Sequence, residues 1–90
     1  MKTIRAKLSG TVQGVFFRKF VKEEADKLGL KGHVRNLDSG EVEVVAEGKD
    51  EDVNEFMKTC KKGAPHSQVK NIQLQELNHQ GFDDFKILRV

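Results

Sequence analysis

Residues 3–30, TIRAKLSGTVQGVFFRKFVKEEADKLGL, contain a change of period, and that change decides the fold. Up to Val12 the chain alternates: Ile4, Ala6, Leu8, then Gly10 and Val12, with polar residues between. Period two describes a strand with one buried face. Residues 13–17, QGVFF, interrupt it. From Phe17 the apolar positions are Phe17, Phe20, Val21, Ala25 and Leu28, a spacing of i, i+3, i+4, i+8 and i+11 that keeps them on one face of a helix. Gly29 stands where helices commonly end on a left-handed glycine.

The same reading extends to the rest of the chain. Residues 32–37 form a short strand with Val34 inside, and Asp38-Ser39-Gly40 is a turn signal. Val42, Val44 and Ala46 then alternate with Glu41, Glu43 and Glu47, so the turn joins a hairpin. Asp50 is expected to cap a second helix, with Glu51 and Asp52 at the positive end of its dipole. Its stripe is Val53, Phe56, Met57 and Cys60, and Gly63 and Pro65 stop it. Val69, Ile72, Leu74 and Leu77 mark a fourth strand with a register break near Lys70-Asn71. After a loop over 78–84, Phe85 and Ile87 begin a last strand running to Val90. The order β-α-β-β-α-β predicts an α+β fold, the ferredoxin-like split βαβ sandwich. Two helices should cover one face of a four-stranded antiparallel sheet, and the other face should meet water.

Ninety residues fit one domain, residues 1–90, with room for one core and a site at its surface. No apolar run approaches the ~20 residues of a membrane span, and the N-terminal stretch MKTIRAKLSG has no apolar leader segment. With a single cysteine and no disulfide, a cytoplasmic protein is expected. The net charge of +2 hides an asymmetry. Residues 1–36 carry nine basic and three acidic side chains, and residues 37–57 carry one basic and eight acidic. The acidic block reads as a solvated face. The basic first third is the better place to look for an anionic partner.

Within it the loop Gly10-Thr11-Val12-Gln13-Gly14-Val15-Phe16-Phe17-Arg18 is the most informative segment. Unpaired N–H groups at a helix start form an anion seat. Helix first turns favour acids, yet Arg18, Lys19 and Lys22 stand here with no acid before Glu23. Taken alone, the loop is equally a tight turn beside ordinary surface lysines. It is neither a P-loop nor a dinucleotide fingerprint, because Gly14 is followed by Val, Phe, Phe and Arg. Asn36, at the end of the second strand, either holds a water by donating and accepting hydrogen bonds or simply begins the turn. His33, His66 and His79 have no ligand spacing, which argues against a metal. Cys60 lies on an apolar helix face and reads as core.

These residues are familiar as a set. Gly10 to Arg18 resembles the first signature of the acylphosphatases, G-x-V-Q-G-V-x-F-R. Val34-Arg35-Asn36, Gly40-Glu41-Val42-Glu43 and Gly48 resemble the second, and the resemblance runs the length of the chain. It implies metal-independent and cofactor-free hydrolysis of acyl phosphates to a carboxylate and inorganic phosphate. It also implies that Arg18 binds the phosphoryl group, that Asn36 positions the attacking water, and that the backbone of Gln13, Gly14, Val15, Phe16, Phe17 and Arg18 cradles the phosphate. His33 departs from the family pattern where an aromatic is common, and Ser39 where Asp is common. The chemistry agrees: a carboxylate, whose conjugate acid has a pKa near ~4, leaves without a general acid. The implied protein is a monomer acting on small molecules, with no membrane and no nucleic-acid partner. Its alternative is a non-catalytic module that binds phosphate or carbamoyl phosphate, since such domains also occur in larger proteins. RNA binding through the shared element order would require aromatics on the first and third strands, which read IRAKLSG and EVEVVAEG.

Overall fold

The computed structural model describes residues 1–89, so the end of the expected last strand, Val90, lies outside the described residues. The elements are β1 (Lys2–Thr11), α1 (Val15–Lys27), β2 (Lys31–Asn36), β3 (Val42–Gly48), α2 (Asp50–Lys62), β4 (Gln68–Leu77) and β5 (Phe85–Ile87). Both helices pack on one face of the sheet, as the α+β split βαβ reading requires. Their buried stripes are Phe17, Val21 and Ala25 from α1 and Val53, Phe56, Met57 and Cys60 from α2. They meet Ile4, Ala6, Leu8, Val34, Val42, Val44 and Ala46, the inward residues of β1, β2 and β3. Burial pushes the Cys60 thiol up to about 12, so this side chain is a small apolar core residue at neutral pH.

Three details differ from the sequence reading. The sheet has five strands in the order β4-β1-β3-β2-β5, and β5 runs parallel to β2 where an antiparallel sheet of four was expected. Only three residues make β5, paired Gly32–Phe85, His33–Lys86 and Val34–Ile87, too short a stretch for periodicity to declare a direction. Lys49 rather than Asp50 caps α2; Asp50 is already the first helical residue, where its charge still favours the dipole. The expected break in β4 is present: Ser9 pairs with Asn71 and Gly10 with Val69, which leaves Lys70 as the extra residue of a bulge. Gly10 is at φ 126 there, and a Cβ on it would collide with the carbonyl oxygen of Gln68.

The third difference is the far face of the sheet, which is not simply solvated. β4 and β5 are opposite edges, four strand spacings or roughly 19 Å apart. Residues 78–84 reach at most ~25 Å, so they take a direct path across that face. Two acids of the expected solvated block lie under or beside the crossing, Glu43 and Glu47, each only 4% exposed. Glu47 accepts hydrogen bonds from the N–H groups of Gln80 (2.6 Å), Gly81 (3.0 Å) and Phe82 (3.3 Å) and from the Thr3 hydroxyl (2.6 Å). Glu43 is held by Arg5 (2.7 Å), Arg35 (2.8 Å) and His33 (2.9 Å). The His33 ring meets Phe82 edge-on at 5.8 Å. A buried carboxylate is tolerated only when so compensated.

Burial alone raises both carboxyls, but these donors outweigh it and hold each near a pKa of about 2. Between the unfolded value of ~4.3 and that folded value, the unfolded chain binds more protons than the folded one. Their contribution to stability is therefore nearly complete above pH ~5 and is lost as pH drops toward 2. Glu47→Gln should lower stability at neutral pH by roughly 1–3 kcal/mol, because an amide N–H2 then faces backbone donors. It should also flatten part of the acid limb. Urea unfolding of both proteins from pH 2 to 7 checks this; parallel curves would show that Glu47 is not an acid-sensitive anchor.

Candidate active site

Helix α1 begins without the usual devices. Gly14 is its N-cap, at φ 115 and ψ 166, no side chain caps it, and its first turn holds no acid. The first hydrogen bond of the helix runs from the Arg18 N–H to the Gly14 carbonyl at 3.4 Å. The N–H groups of Val15, Phe16 and Phe17 precede it and have no helical acceptor. A Cβ on Gly14 would meet nothing within 4 Å, so the glycine is there for its positive φ and not for want of space. The result is a set of converging amide donors, a positive dipole end and a guanidinium, which together suit an anion.

The Arg18 Nε donates to the Gly14 carbonyl at 3.4 Å, which folds the side chain back over the cradle. Arg18 and Asn36 line one open depression of about 410 Å³ with Leu88 and Arg89. Alternation along β2 explains how Asn36 arrives there. Val34 points into the helix-covered core, so Asn36, two residues on, shares that side and reaches the head of α1. Arg35 points to the other face and is taken up by Glu43. The Asn36 Oδ1 is buried with no hydrogen-bond partner among the described residues. An unpaired buried acceptor costs ~1–3 kcal/mol, which a donor entering the depression recovers.

The remaining cradle residues divide by what their side chains do. Gln13 is exposed, but its Nε2 donates to the carbonyls of Leu37 (3.4 Å) and Glu41 (3.3 Å). It thereby ties the cradle to the turn that follows Asn36. Phe17 is a core residue and offers the site only its amide. Val15 and Phe16 point outward, 53% and 85% exposed. Leu88 and Arg89 were not anticipated as site residues. They reach the depression because β5 runs parallel to β2, with the Leu88 N–H bonded to the Val34 carbonyl at 2.9 Å. The side-chain strap of Gln13 was also missed; a polar residue inside a glycine loop is the one signal that pointed to it.

The family model described as acylphosphatase matches residues 4–87. The chain is 46% identical over 81 residues to the acylphosphatase of Bacillus pumilus, a match covering 89% of this chain and 90% of that one. Its fold is similar to the crystal structure of acylphosphatase from Bacillus subtilis, with a TM-score of 0.94 and 41% identity, covering 99% of this chain and all of the other. It is also similar, at a TM-score of 0.87 and 36% identity, to part of full-length HypF in its phosphate- and nucleotide-bound form, covering 98% of this chain and 12% of that one.

A phosphate-sized dianion should bind this cradle. Ligand bound only to the folded state stabilises by mass action, ~2.7 kcal/mol at a hundredfold excess over the dissociation constant. Millimolar phosphate should therefore raise the melting temperature beyond an ionic-strength control, and Arg18→Ala should remove most of the rise. A shift no larger than the control would mean that the head of α1 is not an anion seat.

Proposed function

The chain belongs to the acylphosphatase family, and from that premise we propose how its residues hydrolyse acyl phosphates. The phosphoryl group rests in the backbone cradle from Gln13 to Arg18, chiefly on the free N–H groups of Val15, Phe16 and Phe17, with the Arg18 guanidinium gripping two of its oxygens. Asn36 holds the water. Its Oδ1 accepts one O–H of that water and leaves an oxygen lone pair directed at phosphorus. The water oxygen attacks in line, the bond from phosphorus to the acyl oxygen breaks, and its electron pair leaves on the carboxylate. The water's proton passes to an oxygen of the transferred phosphoryl group. Among the described residues, those lining the depression are Arg18, Asn36, Leu88 and Arg89, none with an acidic or imidazole side chain, which supports a substrate oxygen as the acceptor.

The single observation that carries this reading is the pairing of Arg18 with an unpartnered Asn36 Oδ1 in one depression at an uncapped helix start. Positioning and charge stabilisation are what phosphoryl transfer demands, and both are supplied here. The enzyme so described is one domain over residues 1–90, a cytoplasmic monomer that acts on small acyl phosphates. The reading includes no RNA partner, which is supported by the face that would have to present stacking aromatics: it is crossed by residues 78–84 and carries the buried carboxylates Glu43 and Glu47. The likeness to a segment of HypF keeps one rival in view, a module that binds phosphate or carbamoyl phosphate without turnover.

Phosphate release from acetyl phosphate, followed with EDTA present, separates the two. Asn36→Ala should lower kcat by about a hundredfold or more, because a misplaced nucleophile loses its alignment, while phosphate still binds. Arg18→Ala should weaken phosphate binding and turnover together, since it acts in the ground and transition states alike. Asn36→Ala should leave the melting temperature unchanged or higher, as it deletes a buried acceptor that has no partner among the described residues. Parental turnover in Asn36→Ala would remove that residue from the mechanism. A parent chain that binds phosphate but hydrolyses no acyl phosphate would establish the binding module instead.

A further inference from the structure

We propose that the step between α2 and the edge strand β4 docks an amphipathic helix of a partner protein, one whose apolar stripe is flanked by acids. The surface lies away from the phosphate cradle and stands independently of the hydrolytic mechanism. Two helices cover a sheet face five strands wide, and the shortfall falls on β4. Its helix-facing residues Ile72 and Leu74 pair with the buried Leu8 and Ala6 of β1. Ile72 is nevertheless only half-buried, and Leu74 is 57% exposed.

The hollow that results has a volume of about 480 Å³. Ile4, Ile72 and Leu74 form its floor. Asn54, Met57, Lys58 and Lys61, one stripe along α2, form its wall. Among the described residues no other element closes the opposite side, because β4 is the edge of the sheet. A floor with one wall is a step, not a slot. An alkyl chain lying there would stay open to water along one side. A second helix beside α2, ~8–10 Å from its axis, fills such a step and continues the helical layer over β4.

Charge selects the helix. The ionisable residues lining the step are Lys2, Lys58 and Lys61, with no acid among them. Lys2 donates to the Asn54 Oδ1 at 3.1 Å across one end. Lys58 and Lys61 are exposed and make no ion pair among the described residues, unlike Lys22, Lys27 and Lys86. They stand toward the C-terminal end of α2, so an antiparallel partner lays its own first turn against them. Acids in that turn answer both the lysines and their own helix dipole. At the other end Glu76, the next helix-facing residue of β4, sits opposite Ile4, where the basic last turn of the same partner suits it. A second copy of this chain does not match, because its step is equally basic and its helices already bury their stripes.

Two side-chain-locked helical peptides of about 15 residues serve as probes, since free helices of that length are marginal. Both carry the same stripe of leucines; Asp and Glu flank it in one, Lys in the other. Amide shifts of the isotope-labelled full chain report binding and its place. The acidic peptide should shift α2 and β4 and bind roughly tenfold or more tighter than the basic one, because opposed charges select partners. Lys58→Glu combined with Lys61→Glu should remove that preference. Leu74→Ser should weaken the acidic peptide roughly tenfold, the scale of a lost apolar contact. These residues lie outside the cradle, so the far-ultraviolet spectrum and kcat/KM for acetyl phosphate should stay parental and show the fold intact. Equal binding of both peptides, no shift at α2 and β4, or shifts centred on the head of α1 overturns the proposal. Phosphatidylglycerol vesicles bound through Lys58 and Lys61 while the acidic peptide is not would make the step a membrane contact instead. Self-association abolished by Leu74→Ser would give the step to a second copy and overturn the proposal equally.

Discussion

A helix that starts on an uncapped glycine with basic residues in its first turns works against its own dipole, and everything around α1 is arranged to hold it there regardless. The contrast with α2 is internal to the molecule. That helix opens with Asp50, Glu51 and Asp52 and closes with Lys61 and Lys62, so its dipole is answered at both ends. At the head of α1 nothing answers it, and Arg18 follows close behind. Basic charge there costs ~0.3–1 kcal/mol per residue by itself. The helix persists because Phe17, Val21 and Ala25 are locked into the core, which outweighs a penalty of that size. The stripe that secures the helix and the amides of the proposed phosphate cradle belong to the same few residues. Phe17 does both, with its ring in the core and its N–H in the cradle.

The second wall of the site depends on a more distant anchor. Leu88 and Arg89 reach the depression only if β5 lies parallel beside β2, and β5 is too short to hold that place by its ladder alone. Two things fix it. Phe85 enters the core and meets Phe56 at 5.9 Å, close to perpendicular. Upstream, the backbone of residues 80–82 is gathered onto the Glu47 carboxylate. An acid on β3 thus helps to set one side of the proposed phosphate site through the segment that crosses the sheet, without lining the depression itself.

Much of this was legible in the sequence for a physical reason: periodicity reports burial, and burial built the helices and the three central strands. The switch at Phe17, the stripe from Val53 to Cys60 and the break near Lys70 all belong to that class. The loop from Gln13 to Arg18 drew attention because glycine before a basic, acid-free helix start is chemically unusual, but only its resemblance to the acylphosphatase signature separated a candidate phosphate cradle from an ordinary tight turn. What escaped was carried by groups with no side-chain signature. The donors that bury Glu47 are backbone amides of residues 80–82, so an alternating Glu in an acidic block looked like a solvated one. Glu43 escaped because its partners Arg5, His33 and Arg35 come from two other strands, and their side chains converge only once β1, β2 and β3 are in register. Arg89 reached the site through a strand direction that three residues cannot announce.

The bulge between β1 and β4 has a consequence away from the active site. Any open sheet ends in two strands whose outer amides and carbonyls are unpaired, and such strands template pairing with other chains. One edge here, β5, is kept to three residues. The other, β4, is ten residues long and carries exposed Leu74, which by itself would make it a flat and adhesive border. The extra residue at that border is Lys70, exposed and charged, at a point where the ladder kinks. Twist and a buried-charge penalty together make a second chain a poor fit there. The same irregularity that lets Gly10 turn toward the cradle also guards the opposite border against self-association, so a substitution that straightened it would expose the protein to aggregation before it touched catalysis.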